Sequence, residues 1–175
     1  MTVLLAALLL LETSAAVADD HSDSAEALPF QNFLDTAEGT SWAGPAELWI
    51  DPTGNQALHS DAAMTINGDG FSYTWSYEGQ AQEGQLQLLV DRVQWRDSWH
   101  QPEFVELMAT DDQRSLLAMA YSYPAGSGPD WGWRIQVSQR PDSSLVLAMT
   151  NIAPWGEEVR AVRMVMSSTD NLLRK

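Results

Sequence analysis

The sequence predicts an all-β domain: a closed or nearly closed antiparallel barrel of about ten strands behind a short N-terminal helical turn. Three observations carry that expectation. From Leu28 onward, apolar stretches alternate with turn residues at a spacing of roughly 8–14 residues, the rhythm of sandwiches and barrels. Three of the stretches place aromatic side chains on every second residue, the period of a strand with two unlike faces. No stretch sustains the 3.6-residue period of an amphipathic helix, which argues against alternating strands and helices. Closure is preferred over an open sheet because free edges invite aggregation and a barrel removes them.

Taken in order, residues 28–34 form the helical turn, with Phe30, Phe33 and Leu34 on one side. Strands are expected over 39–50, 57–66, 71–77, 82–89 and 92–100, then 104–110, 116–123, 131–139, 145–152 and 157–167. Asn67-Gly68-Asp69-Gly70 is the strongest hairpin signal, because Asn and Gly tolerate the positive φ that tight hairpin turns demand. Residues 124–130, rich in Pro and Gly, form a longer connection that could serve as a lid at the barrel mouth. Phe71, Tyr73, Trp75 and Tyr77 share one face, Val93, Trp95, Asp97 and Trp99 another, and Trp131, Trp133, Ile135 and Val137 a third. The same alternation puts Arg96, Ser98 and His100 on the face opposite Asp97.

The composition limits function before any site is considered. The chain has 24 acids against 9 bases, a net charge of −15, 8 tryptophans and no cysteine. Such a charge argues against a nucleic-acid binder, which needs a basic footprint. Without cysteine there are no disulfides, no thiolate metal ligands and no lipid-modified cysteine anchor. Residues 3–11 are uninterrupted apolar, too few to span a bilayer but the length of a signal-peptide core. Ala16-Val17-Ala18 then reads as its cleavage site, although no Lys or Arg precedes Val3. The expected organisation is a signal peptide at 1–18, an acidic flexible tail at 19–27, one barrel domain at 28–168 and a tail at 169–175. Export from a bacterium, to the periplasm or beyond, follows, with no membrane span after processing. Losing residues 1–18 removes one acid, Glu12, and no base, so the charge moves only from −15 to −14. Cleavage after Ala18 would also leave a free amine followed by Asp19-Asp20-His21. The amine, two amides and the imidazole could then bind Cu(II) or Ni(II) in a square plane.

Four runs resemble a known family: Trp75-Ser76-Tyr77-Glu78-Gly79, Asp97-Ser98-Trp99-His100, Gly128-Pro129-Asp130-Trp131-Gly132-Trp133-Arg134 and Asn151-Ile152-Ala153-Pro154-Trp155-Gly156-Glu157-Glu158. They are similar to the bacterial group catalogued as domain of unknown function 1579. The resemblance covers about residues 30–167. It implies a calycin-like, lipocalin-type barrel with a central cavity, and no known activity. One departure is the entry motif, where the family's Gly-x-Trp-x-Gly is stretched by one residue in Gly39-Thr40-Ser41-Trp42-Ala43-Gly44.

The candidate cavity residues are Tyr73, Trp75, Trp95, Asp97, Trp99, His100, Trp131, Trp133 and Arg134. If the tryptophans face inward they line a site for one small apolar or amphipathic ligand. Asp97 in such a wall needs a cation or several donors, since an unpaired buried carboxylate is costly. Arg134, Arg163 or a ligand amine could supply the charge. Alternatively, the tryptophans simply fill the barrel, and Asp97 bonds to backbone at a strand end. An enzyme on the same barrel would use Asp97 or His100 as acid or base. A Ser98–His100 pair on one strand face lacks the close contact that nucleophilic catalysis needs. His59 with His100 could join a haem or metal site, but no further ligands are apparent and no cofactor is specified. A structural or interaction protein of the cell envelope would instead need a contiguous exposed apolar patch.

Overall fold

A computed structural model describes residues 23–51, 55–112 and 114–170. The expected leader, its cleavage site and His21 lie outside the described residues, as do residues 171–175. One helix, α1 (Asp23–Ala37), precedes ten strands: β1 (Ser41–Trp49), β2 (Ala57–Asn67), β3 (Gly70–Tyr77), β4 (Gln80–Leu88), β5 (Val93–Asp97), β6 (Gln101–Ala109), β7 (Leu117–Tyr123), β8 (Trp131–Gln139), β9 (Leu145–Ile152) and β10 (Glu158–Ser168). Each strand pairs antiparallel with the next, and β10 returns to pair with β1, so the sheet closes into an up-and-down barrel. No described helix is long and apolar enough to cross a membrane.

Two-residue periodicity explains the core. On β3, Phe71, Tyr73 and Trp75 are buried while Ser72, Thr74 and Ser76 are exposed. On β5, Val93, Trp95 and Asp97 point inward, and on β8, Trp133, Ile135 and Val137 do. The aromatic faces therefore line the inside. Between β3 and β4, Glu78 (φ 50°) and Gly79 (φ 76°) make the two-residue turn whose handedness suits twisted strands. Gly70 (φ 149°) brings β3 so close to β4 that a Cβ there would lie 2.0 Å from the Leu86 carbonyl oxygen.

The helix runs further than the single turn expected, beginning at Asp23 inside the stretch read as an acidic tail. Its C-terminus is finished by Gly39 at φ 74°, with the Thr40 amide donating to the Ala37 carbonyl. Phe30 and Leu34 are fully buried, and Phe30 meets Phe71 edge-on at 6.3 Å between ring centres. Gln31 reaches the Gly68 carbonyl in the β2–β3 turn at 3.3 Å. In a meander, the start of β1 shares an end with the turns after β2, β4, β6 and β8. The helix thus covers that end, and the turns after β3, β5, β7 and β9 frame the opposite mouth.

The β5–β6 connection also differs from expectation. β5 stops at Asp97, Ser98-Trp99-His100 form a tight turn, and β6 starts at Gln101, paired with Asp97. Opposite Arg96 alone, β6 carries Pro102, Glu103 and Phe104, a bulge that bends the strand.

Candidate functional site

At the mouth away from α1, the inward faces of β3, β5, β7, β8 and β9 bring aromatic and polar side chains together. Asp97 ends β5 and is 1% exposed. Its Oδ2 accepts from the Tyr73 hydroxyl at 2.6 Å and its Oδ1 from the Trp99 amide at 2.8 Å. Burial pushes the Asp97 carboxyl above its usual range. The Tyr73 hydroxyl, the Trp99 and His100 amides and the Trp75 indole pull the other way. Of these, the Trp75 Nε1 lies near without a hydrogen bond of ordinary geometry. Burial, and then the Asp97 charge, raise the Tyr73 phenol well above its normal value, so it keeps its proton to donate.

Gly84 makes that bond possible. It stands in register between Tyr73 on β3 and Asp97 on β5. A Cβ at Gly84 would sit 2.1 Å from Tyr73 Cζ, so only glycine lets the phenol cross β4 to reach the carboxylate.

Above this pair lies His100. Its ring stacks on Trp133 with centres 3.8 Å apart and planes 15° apart, and Tyr123 meets it edge-on at 4.6 Å. Nδ1 is 2.6 Å from the Tyr121 hydroxyl. Burial lowers the imidazole to about 4, so it is neutral at physiological pH. The Tyr121 phenol is raised far beyond its normal value by burial, then by Tyr123 and Asp97. Tyr123 donates to Asn151 Oδ1 at 2.7 Å. Tyr121, Trp133 and Asn151 are cross-strand neighbours on β7, β8 and β9. Trp99 closes the ring against Trp75 (5.7 Å), Tyr77 (6.2 Å) and Trp133 (6.1 Å).

Six of the expected residues therefore converge: Tyr73, Trp75, Trp95, Asp97, Trp99 and Trp133. His100 joins them for a reason the alternation did not supply. The turn at 98–100 breaks the strand and swings the imidazole back inside, whereas strand periodicity put it outside. Trp131 is half-buried at the rim, edge-on to the exposed Trp155 at 5.6 Å. Arg134 does not join. It points out of the barrel and pairs with Glu158, with Nη1 to Oε1 at 2.8 Å. Arg163 lies near Glu47 at 3.7 Å, so the groups hydrogen-bonded to Asp97 are neutral donors, two of them backbone amides. Trp75, Trp95 and Trp133, at 3% exposure or less, fill the barrel interior.

Ser98 does not approach His100 as a nucleophile would: its hydroxyl donates to Gln82 and accepts from the Glu83 amide. With Asp97 sealed, an acid–base role at the surface would fall to His100. His59 is exposed on β2 opposite Glu47, and no group of three or more His, Asp or Glu gathers around a metal position among the described residues. Tyr121, Tyr123 and Asn151 join the site although they are not among the cavity residues expected from sequence. The signal was there: Leu117-Met119-Tyr121-Tyr123 alternates like the other faces, and Asn151 ends the apolar series Leu145-Leu147-Met149 with a polar residue.

Two surface cavities lie elsewhere. One, of about 410 Å³, runs along the outer wall past Thr65, Ser72, Thr74 and Arg96; the other, of about 580 Å³, opens between α1 and the barrel near Phe33 and Leu116. No protein-family model matches this sequence, and no curated protein matches it either.

Proposed function

We propose that the protein binds a small, uncharged amphipathic ligand at the aromatic mouth, over His100, Tyr121, Tyr123 and Trp133. The observation that carries this reading is a set of N–H donors without protein acceptors among flat apolar surfaces. Tyr121 keeps its proton and, among the described residues, meets His100 Nδ1 as its acceptor, so the imidazole proton belongs on Nε2. Asn151 uses its oxygen on Tyr123, which leaves its amide N–H groups to donate. Trp133, buried beneath the stacked His100 ring, gives that ring a flat apolar support. A carbonyl or ester oxygen suits those donors, and a planar apolar body suits the aromatic rings. A ligand amine suits them poorly, because Asp97 is sealed and its oxygens are already bonded. An anion would be repelled by a chain of charge −15.

Titration with Nile red, an uncharged planar dye with a carbonyl acceptor, tests the reading. Saturable binding is expected, weakened about ten-fold or more by His100→Phe or Asn151→Leu through loss of one hydrogen bond in an apolar site. No binding, or binding indifferent to both substitutions, overturns it. The apolar leader and the A-x-A triplet support export from a bacterial cell. Mass spectrometry of the secreted N-terminus tests that, and shows whether the amine sits two residues before His21 as copper or nickel binding requires. The family resemblance supports the barrel and adds no activity of its own.

A further inference from the structure

The wall of the barrel is thin at one seam. Among the described residues, β6 and β7 share two register pairs, Met108↔Ala120 and Ala109↔Met119, and the Thr110 amide continues the ladder to the Ala118 carbonyl. The pairing stops toward the mouth. Continuing the same register would set Glu106 opposite Ser122 and Phe104 opposite Pro124, and neither pair is made. Local chemistry explains the opening. Pro102, second in β6, and Pro124, just after β7, lie at this end, and neither has an N–H to donate. The three-residue bulge at 102–104 bends β6 at the same level. β7 is held on its other side, where it pairs with β8 along its whole length.

What lies behind the opening is the mouth site. Tyr121 and Tyr123 project inward from β7 at the level where the ladder is lost, with His100 in contact with both rings at 6.1 and 4.6 Å. The strand beside it is the most exposed of the ten, with Phe104 40% and Met108 65% accessible on its outer surface. An apolar threshold thus leads from solvent to the polar donors.

Taking the mouth as a ligand site, as proposed above, we infer that the β6–β7 gap is its entrance. A flat or elongated apolar molecule passes between the strands, and its acceptor end meets His100 and Asn151. Trp95 and Trp133, at 1% exposure or less, fill the interior and close the route from the α1 end.

The chain has no cysteine, so the gap can be clamped cleanly by the pair Glu106→Cys and Ser122→Cys. Both positions are exposed and outside the aromatic site. The measurement is stopped-flow uptake of Nile red by the full chain, with the pair oxidised and then reduced. Oxidation is expected to slow uptake about ten-fold or more, as for binding that must wait for an opening, and reduction to restore it. Equal rates in both states overturn the entrance while leaving the ligand site standing. Failure of the wild-type chain to bind the dye removes the site and the entrance together. If the disulfide does not form, Val105→Trp, which narrows the gap from inside, is read the same way. Hydrogen exchange supplies an independent check: the Glu106 and Ser122 amides should exchange much faster than those of Met108 and Ala120. Equal protection of all four overturns the gap itself.

Discussion

Asp97 and His100 give the stability of this protein a two-sided dependence on pH. The Asp97 carboxyl titrates higher in the folded chain than in the unfolded one, so the folded state holds that proton longer. Stability from this group therefore falls as pH rises from 3.8 through its raised folded value. His100 runs the other way, with a folded value of about 4 against 6.5. Its contribution is lost as pH falls from 6.5 to about 4, because the unfolded chain takes the proton first. Urea midpoints from about pH 3.5 to 7.5 separate the two groups. Asp97→Asn should remove the loss on the alkaline side, and His100→Gln the loss on the acid side; unchanged profiles would contradict these burial effects. Tyr73→Phe leaves Asp97 without its closest side-chain donor and should cost about 1–3 kcal/mol at neutral pH, less in acid where the carboxyl is protonated. Gly84→Ala should cost about 1–3 kcal/mol by overpacking, since its Cβ would displace the Tyr73 ring. Sequence periodicity reaches Tyr73, Trp75, Trp95 and Asp97 because each lies within a strand. It misplaces His100 because a turn resets the alternation, and the residue that starts the turn looks like one more strand position.

Among the elements, α1 covers one end of the barrel with Phe30 and Leu34. Phe30→Ala should cost about 3–5 kcal/mol in urea unfolding, as expected for truncating a fully buried aromatic. A cost below 1 kcal/mol would mean that the helix rests on the barrel without sealing it. Eight strands were legible to within two residues, with 131–139 and 145–152 matching β8 and β9 at both ends, while one bound each of β5 and β6 was missed by three. Their boundaries are written by turn residues with strict backbone needs, such as Gly70 and Gly79. The helix was legible only in its second half, where Phe30, Phe33 and Leu34 share a face. Pro29 hides the rest, because it lacks the N–H for a bond to the Ala25 carbonyl and disfavours helix in the residue before it. The loss of pairing between β6 and β7 was not legible. Pro102 and Pro124 mark this end in the sequence, but which pairs are lost depends on the register the two strands adopt in space.

For the molecule as a whole, charge and tryptophan burial make a joint prediction. Trp42, Trp75, Trp95 and Trp133 are buried, whereas Trp155 is 69% exposed. Neutral acrylamide should therefore quench a minor, accessible part of the emission, chiefly Trp155. Around a chain of charge −15, caesium should quench that part better than iodide at low salt. The difference should vanish near about 1 M salt, where the screening length shrinks to about 3 Å. Equal quenching by both ions at low salt would show that the acids build no field near Trp155. The seam between β1 and β10 has a different consequence. Among the described residues it is the one strand pairing that is not between sequence neighbours, and the Thr169 amide and Asp170 carboxylate tie the end of β10 to Ser41. All other pairings are hairpins of low contact order, so they form early and the slow event is the meeting of the first and last strands. Cutting any one hairpin and joining the old ends would move that event to a new pair without altering the finished barrel. Circular permutants of this chain should fold to the same structure at different speeds.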